Sequence, residues 1–113
     1  MELEVVDIGP AVTCVRLDGR LDALGADAIG VRFSAAVAAP GRPAVVDLSG
    51  VSFVASMGLR LLISTARALH SKGATLVLFG AQDAVRQVLE EASIDQIIPV
   101  AASREQALAQ LPS

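Results

Sequence analysis

The run Ala44-Val45-Val46-Asp47-Leu48 constrains the fold of this chain more than any other stretch. It is apolar at four of its five positions, and it directly follows the helix-breaking Pro40-Gly41-Arg42-Pro43. A strand with one wet face alternates polar and apolar residues. A short run without that alternation suits a strand covered on both faces, as in a parallel sheet. Parallel neighbours cannot be joined by a tight turn and need crossovers, usually helices.

The flanking residues supply those crossovers. Upstream, Leu24, Ala28, Val31, Ala35 and Ala38 recur at helical spacing, the stripe of an amphipathic helix over about Leu24–Ala38. Asp22 stands before this helix as its cap or as a residue of the preceding loop. Gly25 and Gly30 weaken the helix. Downstream, Ser49 to Ala55 reads as a connecting loop anchored by Phe53 and Val54. Ser56 opens a second helix to about Ser71, with Leu59, Leu62, Ile63, Ala66 and Leu69 as its buried stripe. Lys72-Gly73 ends it, a cation near the C-terminus followed by a glycine.

Ala74 to Phe79 is a further buried strand. A third helix spans Asp83 to Ala92, with Val85, Val88, Leu89 and Ala92 on one side. Ile97 to Val100 is a last short strand, marked as an edge by Pro99. Ser103 and Gln106 form a capping box for a final helix that presents Ala107, Leu108 and Leu111. At the other end, Val5–Ile8 and Ala11–Leu17 read as strands joined at Gly9-Pro10, an antiparallel hairpin. Asp18-Gly19 closes the second of them. The predicted order is β-β-α-β-α-β-α-β-α. That is one α/β domain over residues 1–113, with a mostly parallel sheet, an N-terminal antiparallel hairpin and about four helices.

Composition narrows the function. The net charge is -3 and no window clusters Lys and Arg. Nucleic acid is therefore not an expected partner, and a polybasic membrane patch is missing. A single cysteine, Cys14, excludes an internal disulfide and a zinc site built on paired cysteines. Cys14 reads as a buried strand residue, and His70, the only histidine, as a residue near the end of the second helix. No metal cluster, Gly-x-Gly-x-x-Gly or Walker-type loop is present, so neither a cofactor nor catalysis is expected. Met1-Glu2-Leu3-Glu4 lacks the basic start of a signal peptide. The apolar runs stop well short of the ~20 residues a membrane helix needs. A cytoplasmic location without membrane insertion is the expectation. Three Phe and no Trp or Tyr leave few side chains to stack on flat ligands.

Three segments resemble the STAS domain family. Gly19-Arg20-Leu21-Asp22 is similar to the family's G-E-L-D. Val46-Asp47-Leu48-Ser49-Gly50-Val51-Ser52-Phe53-Val54-Ala55-Ser56-Met57-Gly58-Leu59 resembles its D-L-S-x-V-x-F-[IM]-D-S-[ST]-G-L. The stretch from Val85 through Asp95, Ile98-Pro99-Val100 and Ser103 to Leu108 resembles its closing helix, edge strand and capped helix. The resemblance is to the anti-sigma factor antagonist type. It implies a partner that is an anti-sigma factor with serine-kinase activity, release of a sigma factor, and a phosphatase that resets the switch. It also implies a partner site at Asp22, Ser56, Met57, Gly58, Leu59 and Arg60. Subunits of lipid-transport or stress-signalling assemblies share the fold, and an unphosphorylated role of that kind is the alternative.

The sequence departs from this family at the switch. The family's usual phosphoacceptor immediately precedes the glycine, and here that residue is Met57. The family's aspartate is Ala55. Two readings follow. In one, Ser56 is phosphorylated at the start of a helix, where the dipole favours an anion and Arg60 lies one turn on. In the other, the site is unmodified and binding is constitutive or regulated by partner availability. Ser56 is also placed to cap the helix, a role worth roughly 1 kcal/mol. Gly58 suits close packing of the helix start, and Met57 suits either the core or an adaptable apolar contact. Asp47, at the end of a central strand, resembles the acceptor of a receiver-like domain. That reading lacks its acidic pair and its lysine, and Asp47 instead suits an Asx-type bond to the loop after it.

Overall fold

The computed structural model describes residues 1–112. Five strands form one sheet in sequence order: β1 Glu2–Val6, β2 Thr13–Leu21, β3 Ala44–Val54, β4 Leu76–Phe79 and β5 Val100–Ala101. β1 is antiparallel to β2, and the remaining neighbours are parallel. The helices are α1 Ala23–Val37, α2 Ser56–His70, α3 Asp83–Glu91 and α4 Arg104–Ala109. The expected element order is the observed one, with an added 3₁₀ turn at Ile94–Gln96.

β3 is covered on both faces, as its composition requires. Val46 and Leu48 join the core built with α1, α2 and α3. Val45 joins Val77, Phe79 and Ala107 of α4 on the opposite face. Cys14 lies on that second face and is buried. The Ser103 cap also forms as expected: Gln106 N–H donates to Ser103 Oγ at 3.2 Å, and the Gln106 side chain accepts from Ala102 N–H at 3.2 Å.

α1 packs on a different stripe from the one that the spacing singles out. Leu24 and Val31 are 83% and 84% exposed, whereas Ile29, Phe33 and Val37 are fully buried. Ala28 and Ala35 are exposed too, and only Ala38 of that stripe is buried. Both stripes have helical spacing because α1 is apolar nearly all round, so periodicity alone does not choose between them. Volume does. Burying a side chain such as Ile29 or Phe33 stabilises by roughly 1.5–3 kcal/mol, and the alanines of the other stripe offer far less area.

The strand ends also differ from expectation. β2 continues past Asp18-Gly19 to Leu21, and β3 runs on through the presumed loop to Val54. The two strands extend together beyond β4 with register shifts at Arg16/Asp18 and Gly19/Arg20. Gly19 adopts φ +113°, a left-handed value that glycine tolerates. Gly50 has no Cβ, and the Asp18 carboxylate occupies the space one would take. The residues read as strand terminators are the material of a bulged ribbon. β1 begins at Glu2, not Val5, because Leu3 pairs with Leu17 and Val5 with Val15. β5 is shifted to Val100–Ala101, since Ile98 N–H still donates back to Ile94 O at 2.8 Å. Lys72 lies past the end of α2, but its ammonium donates to Ala38 O and Ala39 O at 3.0 and 3.2 Å, at the end of α1.

Candidate partner-docking site

The ribbon of β2 and β3 delivers two helix starts to one place. Leu21 pairs with Val54, and Ala55 N–H donates to Leu21 O at 3.0 Å. α1 starts just after Leu21 and α2 just after Ala55. Both first turns therefore sit against the last residues of β2, and both need glycine there. A Cβ on Gly25 would collide with the Arg20 carbonyl oxygen, and one on Gly58 with the Leu21 carbonyl oxygen. Gly58 is accordingly buried, while its neighbours Ser56, Met57 and Arg60 are exposed and Leu59 is half-buried.

The two helix tips differ chemically. Asp22 caps α1, accepting from Gly25 N–H at 2.9 Å. That bond comes first, and the neighbouring Arg20 second, in holding the Asp22 carboxyl below its ordinary range. A depressed pKa contributes stability that is present above the unfolded carboxylate value, about 3.9, and lost as pH falls through the folded one. Asp22→Asn keeps a capping oxygen and cannot titrate. Its acid-unfolding profile, followed by circular dichroism, is expected to be shallower below about pH 4 than that of the natural protein. Identical profiles would remove Asp22 from the titration.

At α2 the cap position is Ala55, and no side chain caps the helix. The capping role read for Ser56 is thus corrected: Ser56 is already the first helical residue, one position too late to cap. Its exposed hydroxyl stands at a helix start with no acid in the first turn. Met57 is 46% exposed and lines a shallow groove with Arg60 and Leu61 of α2 and Asp27 and Val31 of α1. Arg20 stacks over the Phe53 ring at 4.3 Å and reaches Asp22 Oδ2 at 3.4 Å. Sequence reasoning left Arg20 and Phe53 out of the site. Their contact depends on the bulged register that pairs them, and no local pattern encodes it.

Asp47 accepts from Ser49 N–H at 2.9 Å, the Asx-type bond expected of it, and from Arg16 Nη1 at 3.3 Å. His70 is the last residue of α2 and is exposed. Among the described residues there is no cluster of three or more His, Cys, Asp or Glu side chains able to hold a metal. No helix among them is long and apolar enough to cross a membrane.

This fold has known counterparts. The STAS domain family model matches residues 4–107, and the chain belongs to that family. It is 33% identical over 101 residues to the candidate anti-sigma factor antagonist BtrV of Bordetella bronchiseptica, covering 89% of this chain and 85% of that protein. An anti-sigma factor antagonist of Mycobacterium paratuberculosis is 27% identical with a TM-score of 0.77, over 96% of this chain and 92% of that one. An anti-sigma-factor antagonist (STAS) domain protein of Planctomyces limnophilus is 25% identical with a TM-score of 0.82, over 95% of both chains.

Proposed function

We propose that this chain acts as one STAS domain over residues 1–113 and is an anti-sigma factor antagonist. It works in the cytoplasm by binding and not by catalysis. Its partner is an anti-sigma factor with serine-kinase activity, and docking on it releases a sigma factor. The observation that carries this reading is the exposed Ser56-Met57 tip of α2 beside the Asp22-capped tip of α1. An exposed, unbranched Met is an adaptable apolar contact. The names of the relatives supply the class of partner.

Ser56 is the proposed regulatory serine. A phosphate there adds about -1.5 to -2 charges next to Met57. The helix start, with neither acid nor side-chain cap, stabilises that anion by its N–H groups and dipole. The same charge repels an apolar or acidic partner surface, so modification releases the partner and a phosphatase restores binding. Met57 at the family's usual acceptor position favours a second reading. In it the domain is an unmodified subunit of another complex, such as a lipid-transport or stress-signalling assembly.

Pull-down from the native lysate, with mass spectrometry of bait and prey, separates these. The switch is expected to yield a kinase-type anti-sigma factor with the natural bait, phosphate on Ser56, and loss of the prey with Ser56→Asp. Equal recovery by Ser56→Asp would sink the switch. Recovery of transporter or stress-complex subunits in place of an anti-sigma factor would establish the second reading.

A further inference from the structure

We propose that α1 is also a self-association face, through which two copies of this chain pair with their α1 helices parallel. The stripe Leu24, Ala28, Val31 and Ala35 is exposed along α1, with Leu24 and Val31 more than four-fifths exposed. Its spacing of four, three and four residues is that of the d and a positions of a coiled coil. In this frame Asp27 falls at g and Arg32 at e, on opposite flanks of the stripe. Both are exposed, and among the described residues neither forms an ion pair within the chain.

Charge decides the occupant and the orientation. In a parallel pair, a g residue faces the e residue five positions on in the partner helix. Asp27 of one copy then meets Arg32 of the other, and the two-fold axis along the helices makes the contact twice. An antiparallel pair brings like flanks together, Asp27 to Asp27 and Arg32 to Arg32, and is repelled. Between the charges, Leu24 and Val31 stack on their own copies. Ala28 and Ala35 let the helices approach closely. The face is self-complementary in shape and in sign.

The patch is small. Interfaces below about 1,200 Å² are those of weak complexes, so the dimer is expected in the upper micromolar range. Sedimentation equilibrium of the purified chain, from about 10 μM to about 1 mM, tests this without any partner. The natural protein is expected to rise from 11.6 kDa toward twice that mass. Asp27→Arg and Arg32→Asp each place like charges across both contacts and are expected to remain monomeric. An equimolar mixture of the two is expected to recover the dimer, because each Arg then faces an Asp. The recovered mixture also reports that both variants are folded. A natural chain that stays monomeric at about 1 mM would overturn the proposal. So would single variants that associate like the natural chain, or a mixture that fails to recover. The anti-sigma factor reading is tested separately by the lysate experiment, although Asp27 and Val31 also line the groove beside Met57.

Discussion

Gly58→Ala is expected to destabilise the protein by about 3 kcal/mol, at the upper end of what overpacking usually costs. The added methyl would collide with the Leu21 carbonyl oxygen and stand 2.7 Å from Leu21 Cγ. Neither atom has room to give. The Leu21 side chain is fully buried, and its carbonyl is already fixed by the bond from Ala55 N–H at 3.0 Å. The helix start has to lift off β2, carrying Ser56 and Met57 with it. Gly30→Ala is the matched comparison, because Gly30 is also helical but meets only Leu61 Cδ1, at 4.0 Å. There the methyl fits, and the ordinary helix preference for alanine over glycine, about 1 kcal/mol, is expected as a gain. Urea unfolding should move the two midpoints in opposite directions. A Gly58→Ala protein as stable as the natural one would show that the tip of α2 does not rest on β2 as described.

The features legible in the sequence were those carried by local chemistry. The nearly continuous apolar run at residues 44–48 suits a strand covered on both faces, and β3 is one. Ser103 with Gln106 reads as a cap and bonds as one, and Asp22, open between cap and loop, proves to be the cap. What escaped was set by long-range pairing. Asp18-Gly19 and Ser49-Gly50 carry turn chemistry, yet each strand supplies the other with hydrogen bonds and the ribbon runs on to Leu21 and Val54. α1 offered two stripes of equal periodicity, and only the bulk of Phe33 and Ile29 showed which one the sheet would take. At the candidate site, the segment from Ser56 to Arg60 is legible through its resemblance to a family. The stacking of Arg20 on Phe53 is not, because those residues meet only through the bulged register.

Met57→Glu is expected to weaken partner binding by about 2 kcal/mol or more, roughly thirty-fold, while leaving the fold as stable as before. The two effects separate because Met57 is nearly half exposed and lies outside the buried core. Exposed positions of this kind usually change stability by less than about 0.5 kcal/mol. At a docking surface the same change buries a carboxylate against an apolar contact without a partner for its charge. The measurement is titration calorimetry against the anti-sigma factor, once recovered, with urea unfolding of the variant alongside. Met57→Leu keeps the apolar volume and should retain most of the affinity. A Met57→Glu variant that binds as tightly as the natural chain would move the docking surface away from the α2 tip. The exposed methionine would then be an incidental surface residue.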